Sequence, residues 1–146
     1  MRTIVTGQKE RVGKWTAEHI GCGSDWRDYE AMGVEKDGEL IAGVVFDDYV
    51  ENTRCAMHCA GVGKNWLSKE FLFVLFDYAF RQLGCKVVVL TVDSENTDSV
   101  KFISHLGFEE KCRIEGGSPA GDLIIFTMRR VNCHWLKRKT KELQHG

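Results

Sequence analysis

Residues able to do acid–base, nucleophilic or metal chemistry lie mainly between positions 35 and 96 of this 146-residue chain. His58 stands near the end of a strand-like segment, Thr53 to Ala60, just before Gly61-Val62-Gly63-Lys64-Asn65. Cys55 and Cys59 flank it, and Glu35, Asp47, Asp48 and Glu51 precede it. An imidazole or carboxylate that faces a cleft can act as a general base. A strand-to-helix turn with glycines and an adjacent lysine presents backbone N–H groups to an anion. Two stricter templates for that turn fail. A Walker loop needs glycine where His58 stands and Ser or Thr where Asn65 stands, and a dinucleotide fingerprint needs glycine at Trp66.

Metal ligation has little support, and no metal site is expected. Cys55, His58, Cys59, Cys133 and His134 are the candidate ligands, but no C-x-x-C occurs. On a strand, His58 faces away from both Cys55 and Cys59, so the cysteines read as small apolar core residues. A Cys–His nucleophile pair is equally unsupported by spacing. Glu35, Asp47, Asp48 and Glu51 also read as solvated hairpin and loop charges, and Asn96 as a helix cap. The residues alone do not choose among these roles.

The elements that must position them are easier to read. Ser68 to Phe80 is apolar around nearly its whole circumference, with Glu70, Asp77 and Arg81 forming one thin polar stripe. Such a helix must be enclosed by other elements. Lys86 to Val92 is a β-branched run without alternation, expected as a strand covered on both faces. Asp93-Ser94-Glu95-Asn96 can cap a following helix whose face carries Val100, Ile103 and Leu106, and Gly107 suits its left-handed terminus. Upstream, residues 8 to 20 read as a helix, followed by a short link from Asp25 to Tyr29. Ala31 to Lys36 and Glu39 to Phe46 form a hairpin about Asp37-Gly38, Asp47 to Asn52 an acidic loop, and Thr53 to Ala60 a third strand. Glu109 to Ile114 and Leu123 to Met128 are two further strands. The result is a mixed α/β (α+β) single domain over residues 1–146, its mostly antiparallel sheet flanked by helices, with 131–146 a basic helical tail on which Trp135 and Leu136 dock.

Composition narrows the function classes. Twenty basic and 21 acidic residues leave a formal charge of −1, which makes no electrostatic case for nucleic acid or an anionic membrane. The longest apolar run, Phe71 to Phe76, is far below the roughly 20 residues of a membrane span. No signal segment is apparent at Met1 to Gly7, so a soluble, cytoplasmic protein with six reduced cysteines is expected.

The order of elements and three local words converge on a family. Asp77-Tyr78-Ala79-Phe80-x-x-Leu83-Gly84, Val89 to Asn96 with Ser99, and Leu106-Gly107-Phe108 together resemble the GCN5-related N-acetyltransferases (GNAT). Within them the chain looks most like the ribosomal-protein N-acetyltransferase subgroup and its short phage or prophage members. The matched words span residues 66 to 108, and the flanking strands fit the same fold.

The resemblance implies acetyl-CoA as donor and a primary amine as acceptor, either a small molecule or a protein N-terminus. It implies that the fourth strand of the family fold splays from the fifth, and that pantetheine lies in the gap against His58, Cys59 and Ala60. The pyrophosphate would rest on the turn and helix start formed by Gly63, Lys64, Asn65, Trp66, Leu67 and Ser68. Asn96 matches the asparagine that contacts the pantetheine arm. His58 is the first choice of base for the amine, with Glu35 and Asp47 behind it. Two positions depart from the family pattern. Trp66 stands where a loop glycine is usual, and Ile103 where many members carry a proton-donating tyrosine. These departures favour, as an alternative, a non-catalytic module that binds acyl-CoA or a protein. The run Lys137-Arg138-Lys139-Thr140-Lys141 suggests a nucleic-acid accessory as a third reading, although such runs are usually solvated helix faces. Exposed strand edges and the tail are compatible with a homodimer.

Overall fold

The computed structural model describes residues 1–21, 26–63 and 66–136. Cys22, Lys64, Asn65 and the basic run 137–141 lie outside the described residues. The chain runs β1 (Arg2–Val5), α1 (Lys9–Ile20), β2 (Glu30–Lys36), β3 (Glu39–Val50), β4 (Arg54–Gly61), α2 (Lys69–Asp77), a π-helical turn (Tyr78–Gln82), β5 (Val87–Asp93), α3 (Thr97–Leu106), β6 (Glu109–Ile114) and β7 (Leu123–Arg129). Among the described residues, seven strands make one sheet in the order β1-β2-β3-β4-β5-β7-β6, and only the β4–β5 pair is parallel. The mixed α/β, mostly antiparallel architecture expected from the sequence is the one observed.

Alternation along the strands divides the molecule into two layers of packing. Phe46 of β3, Met57 of β4, Val88 and Leu90 of β5 and Phe126 of β7 point to one face, where α2 and α3 lie. Phe71, Phe76 and Phe80 are fully buried there, and each contributes roughly 1.5–3 kcal/mol of burial free energy. The helix read from Ser68 to Phe80 is therefore present, but Phe73, Val74 and Tyr78 are only half-buried, so it is not enclosed on every side, and its last part is π-helical, with the Leu83 amide donating to the Tyr78 carbonyl. On the other face Val45 meets Val12 of α1, Val5 and Ala31. α1 can lie close to the sheet because Gly33 and Gly43 pair beneath it. A Cβ on Gly43 would overlap the Thr16 hydroxyl, and one on Gly33 would meet the Ala42 carbonyl oxygen at 2.5 Å.

Two expectations are corrected, and one strand carries no signal in the sequence: β1 forms by antiparallel pairing to β2. β3 does not stop at Phe46 but continues through the acidic residues to Val50, with an irregularity between Asp47 and Val50. β5 is covered on one face only: Val88 and Leu90 are buried, whereas Val87 and Val89 are half-buried and Thr91 is exposed. α1 packs chiefly on β2, β3 and β4. At the far end, Trp135 donates its indole N–H to the Leu106 carbonyl at 3.0 Å, and Leu136 is buried, so this part of the tail docks as expected.

Candidate active site

The central feature follows from register. β4 and β5 pair through only three residues each, Arg54 with Val87, Cys55 with Val88 and Ala56 with Val89. β4 then runs on to Gly61 bonded to β3, and β5 runs on to Asp93 bonded to β7. From Met57 and Leu90 onward the two facing backbone edges have no partner strand among the described residues, so a gap opens between them. Unpaired strand edges are rows of hydrogen-bonding groups that a slender polar ligand can use. His58, Cys59 and Ala60 all lie in this unpaired part of β4.

His58 pairs across β3 with Val45, on the α1 face. Asp47, two residues further along β3, points to the same face, and its Oδ1 lies 2.7 Å from His58 Nε2. A carboxylate oxygen can only accept, so Nε2 carries the hydrogen and Nδ1 of the neutral ring is left as acceptor. Nδ1 has no hydrogen-bond partner among the described residues. The side chains are 31% and 23% exposed, so the pair is sheltered without being cut off from water. Trp26 packs beside it, with ring centroids 5.0 Å apart. The indole is fixed by donation to the Gly13 carbonyl at 2.8 Å. Gly13 sits inside α1 because a Cβ there would meet Tyr29 at 2.9 Å and Trp26 at 3.1 Å. Reading the sequence as a bare link between Asp25 and Tyr29 overlooked Trp26; the glycine inside a helix was the available signal.

Cys55 lies in the core, and Cys59 is half-buried against it. Cys55 and Cys59 belong to the α2 side of the sheet, opposite His58, as strand alternation requires. Burial pushes the Cys59 thiol up to about 12 and raises that of Cys55 as well, the latter helped by neighbouring Cys85. Neither is a thiolate at neutral pH, so neither is a ready nucleophile. No three His, Cys, Asp or Glu side chains converge as a metal site among the described residues.

Glu35 is placed elsewhere. It accepts from Arg11 Nη1 at 2.9 Å beside the β2–β3 hairpin. Its partner Leu40 is five residues along β3 from Val45, the partner of His58, which puts it roughly 17 Å away at about 3.4 Å per residue. Asn96 caps α3, its Oδ1 accepting from the Ser99 amide at 3.3 Å.

The turn after β4 is partly described. Gly63 is left-handed, with φ +73° and open space around it. Ser68 is the N-cap of α2, its Oγ accepting from the Phe71 amide at 3.0 Å. That leaves the amides of Lys69 and Glu70 at the helix start without intrahelical acceptors, as at any N-terminus. Leu67 packs on the main core, and Trp66 is buried. Across the gap, the end of β5 is tied to the loop between β6 and β7. Asp93 accepts from the Glu95 amide at 2.9 Å, the Ser118 hydroxyl at 2.9 Å and the Ala120 amide at 3.1 Å. These bonds, the Glu95 amide foremost, hold the Asp93 carboxyl below its ordinary range.

The sequence matches the model of the acetyltransferase (GNAT) family over residues 6–108. A search of curated proteins returned no matching sequence. Among solved structures, a variant of the spermidine N-acetyltransferase SpeG from Vibrio cholerae superimposes with a TM-score of 0.74 at 16% identity, covering 94% of this chain and 98% of that one. The spermidine N-acetyltransferase from Vibrio cholerae in complex with CoA and spermine gives 0.67 at 13% identity, covering 91% and 98%. The yncA protein of Salmonella typhimurium, solved with its cofactor acetyl-CoA, gives 0.66 at 18% identity, covering 88% and 93%.

Proposed function

The chain belongs to the acetyltransferase (GNAT) family, and from that premise we propose that it moves an acetyl group from acetyl-CoA to a primary amine by direct attack. The acceptor is a small molecule or a protein N-terminus. The observation that carries this reading is the parting of β4 and β5 beyond Ala56 and Val89, with the His58–Asp47 pair beside the opening. Structural neighbours solved with acetyl-CoA or with CoA and spermine support the donor and the amine class.

In this reading the pantetheine arm lies along the free edge of His58, Cys59 and Ala60, and the pyrophosphate rests at Gly63 to Ser68. Asn96 lines the arm from the start of α3. Holding both reactants in one pose removes most of the entropic cost of their meeting. The amine nitrogen attacks the thioester carbonyl carbon, the C–S bond breaks, and the amide forms. The proton shed by the amine passes to Nδ1 of His58, directly or through one water. Asp47 steadies the imidazolium that results. Ile103 is 4% exposed and has no proton to give, so the departing CoA thiolate takes one from water.

The test is CoA release from acetyl-CoA over a panel of amines and N-terminal peptides. Turnover with at least one class that depends on acetyl-CoA supports the proposal. Binding of acetyl-CoA without turnover on any acceptor would favour the second reading, a non-catalytic acyl-CoA-binding or protein-interaction module. The specific observation on that side is Trp66, whose indole lies buried next to the mouth of the gap.

A further inference from the structure

Trp66 is the bulkiest residue of the turn that joins β4 to α2. A Cβ on Gly61 would overlap its indole, so the ring rests directly on the last residue of β4. The same ring lies 5.6 Å from Phe102 of α3 and 6.3 Å from Phe71 of α2, measured between centroids. β4 leads into α2 and β5 leads into α3, and the two strands are unpaired beyond Ala56 and Val89. Trp66 therefore bridges the two halves of the fold beyond the point where the sheet divides.

The ring is held by packing alone. Its N–H makes no hydrogen bond among the described residues. The start of α2 is secured separately, by Ser68 on the Phe71 amide and by the Ser68 carbonyl on the Leu72 amide. Before Trp66 in the chain, Gly61 has no side chain and Gly63 is left-handed. Displacing the indole therefore breaks no hydrogen bond of α2 or β4 among the described residues.

We infer that Trp66 sets the affinity for the acyl-CoA donor by gating the β4–β5 cleft: in the arrangement seen here its indole spans from Gly61 to Phe102, and the pantetheine arm enters when the indole swings toward solvent. The inference rests on the acetyl-CoA reading of the cleft. It makes the open form a minor state. A ligand that requires a minor state binds more weakly by the inverse of that state's population.

Two measurements on the full chain test it. Acetyl-CoA is titrated calorimetrically into wild type and Trp66→Gly. The emission of Trp66 alone is followed in parallel, as the difference between wild type and Trp66→Phe. Removal of the gate tightens binding on the order of tenfold or more, and saturation with acetyl-CoA shifts the Trp66 emission to the red as the ring becomes wet. Binding to Trp66→Gly with none to wild type supports the gate in its strongest form. If wild type binds while Trp66 emission stays fixed, or if Trp66→Gly binds no more tightly, the gate is overturned and the transferase reading stands. If neither protein binds, both are overturned. The emission arm needs only wild type and the Trp66→Phe exchange, so where wild type binds it decides the matter even if Trp66→Gly does not fold; where wild type does not bind, Trp66→Ala replaces Trp66→Gly in the titration.

Discussion

Replacing Asp47 by Asn keeps the shape of the His58 partner and removes its charge. The bond it alters, 2.7 Å between Asp47 Oδ1 and His58 Nε2, is short and joins a carboxylate to a ring that becomes cationic as the amine loses its proton. A hydrogen bond to a charged group contributes about 1.5–3 kcal/mol net, which corresponds to about 10- to 150-fold in rate. Both side chains are less than one-third exposed, so solvent screening does not erase the effect. The expected fall in kcat/KM for Asp47→Asn is therefore about 10- to 150-fold. His58→Ala should lose about 10²–10⁴-fold, the usual contribution of a positioned base. Because Asp47 acts through the imidazole, Asp47→Asn added to His58→Ala should cost little more, within about threefold of His58→Ala alone. The assay is thiol release from acetyl-CoA at fixed amine, with circular dichroism to confirm that each variant is folded. Losses that simply add in the double variant, or an Asp47→Asn rate within about threefold of wild type, would refute the dyad.

Three further outcomes are expected. Cys59→Ala should keep turnover within about threefold of wild type, since a thiol raised to about 12 cannot supply a thiolate for an acetyl-enzyme; a dead Cys59→Ala that still melts normally would point to covalent transfer. Asp93 is held below its unfolded value, so the stability it supplies is present above the ordinary carboxylate range and is lost as pH falls through its folded value. Thermal melts below about pH 4 should therefore decline more steeply in wild type than in Asp93→Asn, and parallel curves would remove Asp93 as the acid-sensitive tie of the β6–β7 loop. Gly33→Ala would drive a methyl group into the Ala42 carbonyl, so urea unfolding should show a loss of about 1–3 kcal/mol; an unchanged midpoint would mean that the strand pair under α1 yields freely.

What could be read from the sequence was whatever is decided locally. The near-uniform apolarity of Phe71 to Phe76 announced a helix packed on the core, though not that Phe73 and Val74 stay half-buried, and Asn96 and Gly107 announced both ends of α3, where the structure puts the cap and the left-handed residue. Opposite facing of His58 and Cys59 followed from strand period alone. Features settled by distant partners stayed hidden. Arg2–Val5 has too few residues to declare itself and becomes a strand only by pairing with β2. Asp47 and Asp48 have poor strand propensity, yet pairing with β4 carries β3 past them. The π-turn at Tyr78–Gln82 leaves the apolar pattern intact while shifting the backbone bonds. The His58–Asp47 contact depends on cross-strand register, which no spacing along one strand reveals. The place where β4 parts from β5 is likewise a property of two segments and not of either sequence.

The most direct test of the account is a crystal structure of the protein grown with acetyl-CoA. It should show the pantetheine arm between β4 and β5, bonded to the backbone of His58 to Ala60, with the Trp66 indole displaced and the thioester carbonyl on the side of the sheet that carries His58. Acetyl-CoA bound elsewhere, with β4 and β5 unchanged and the indole still seated on Gly61, would contradict it.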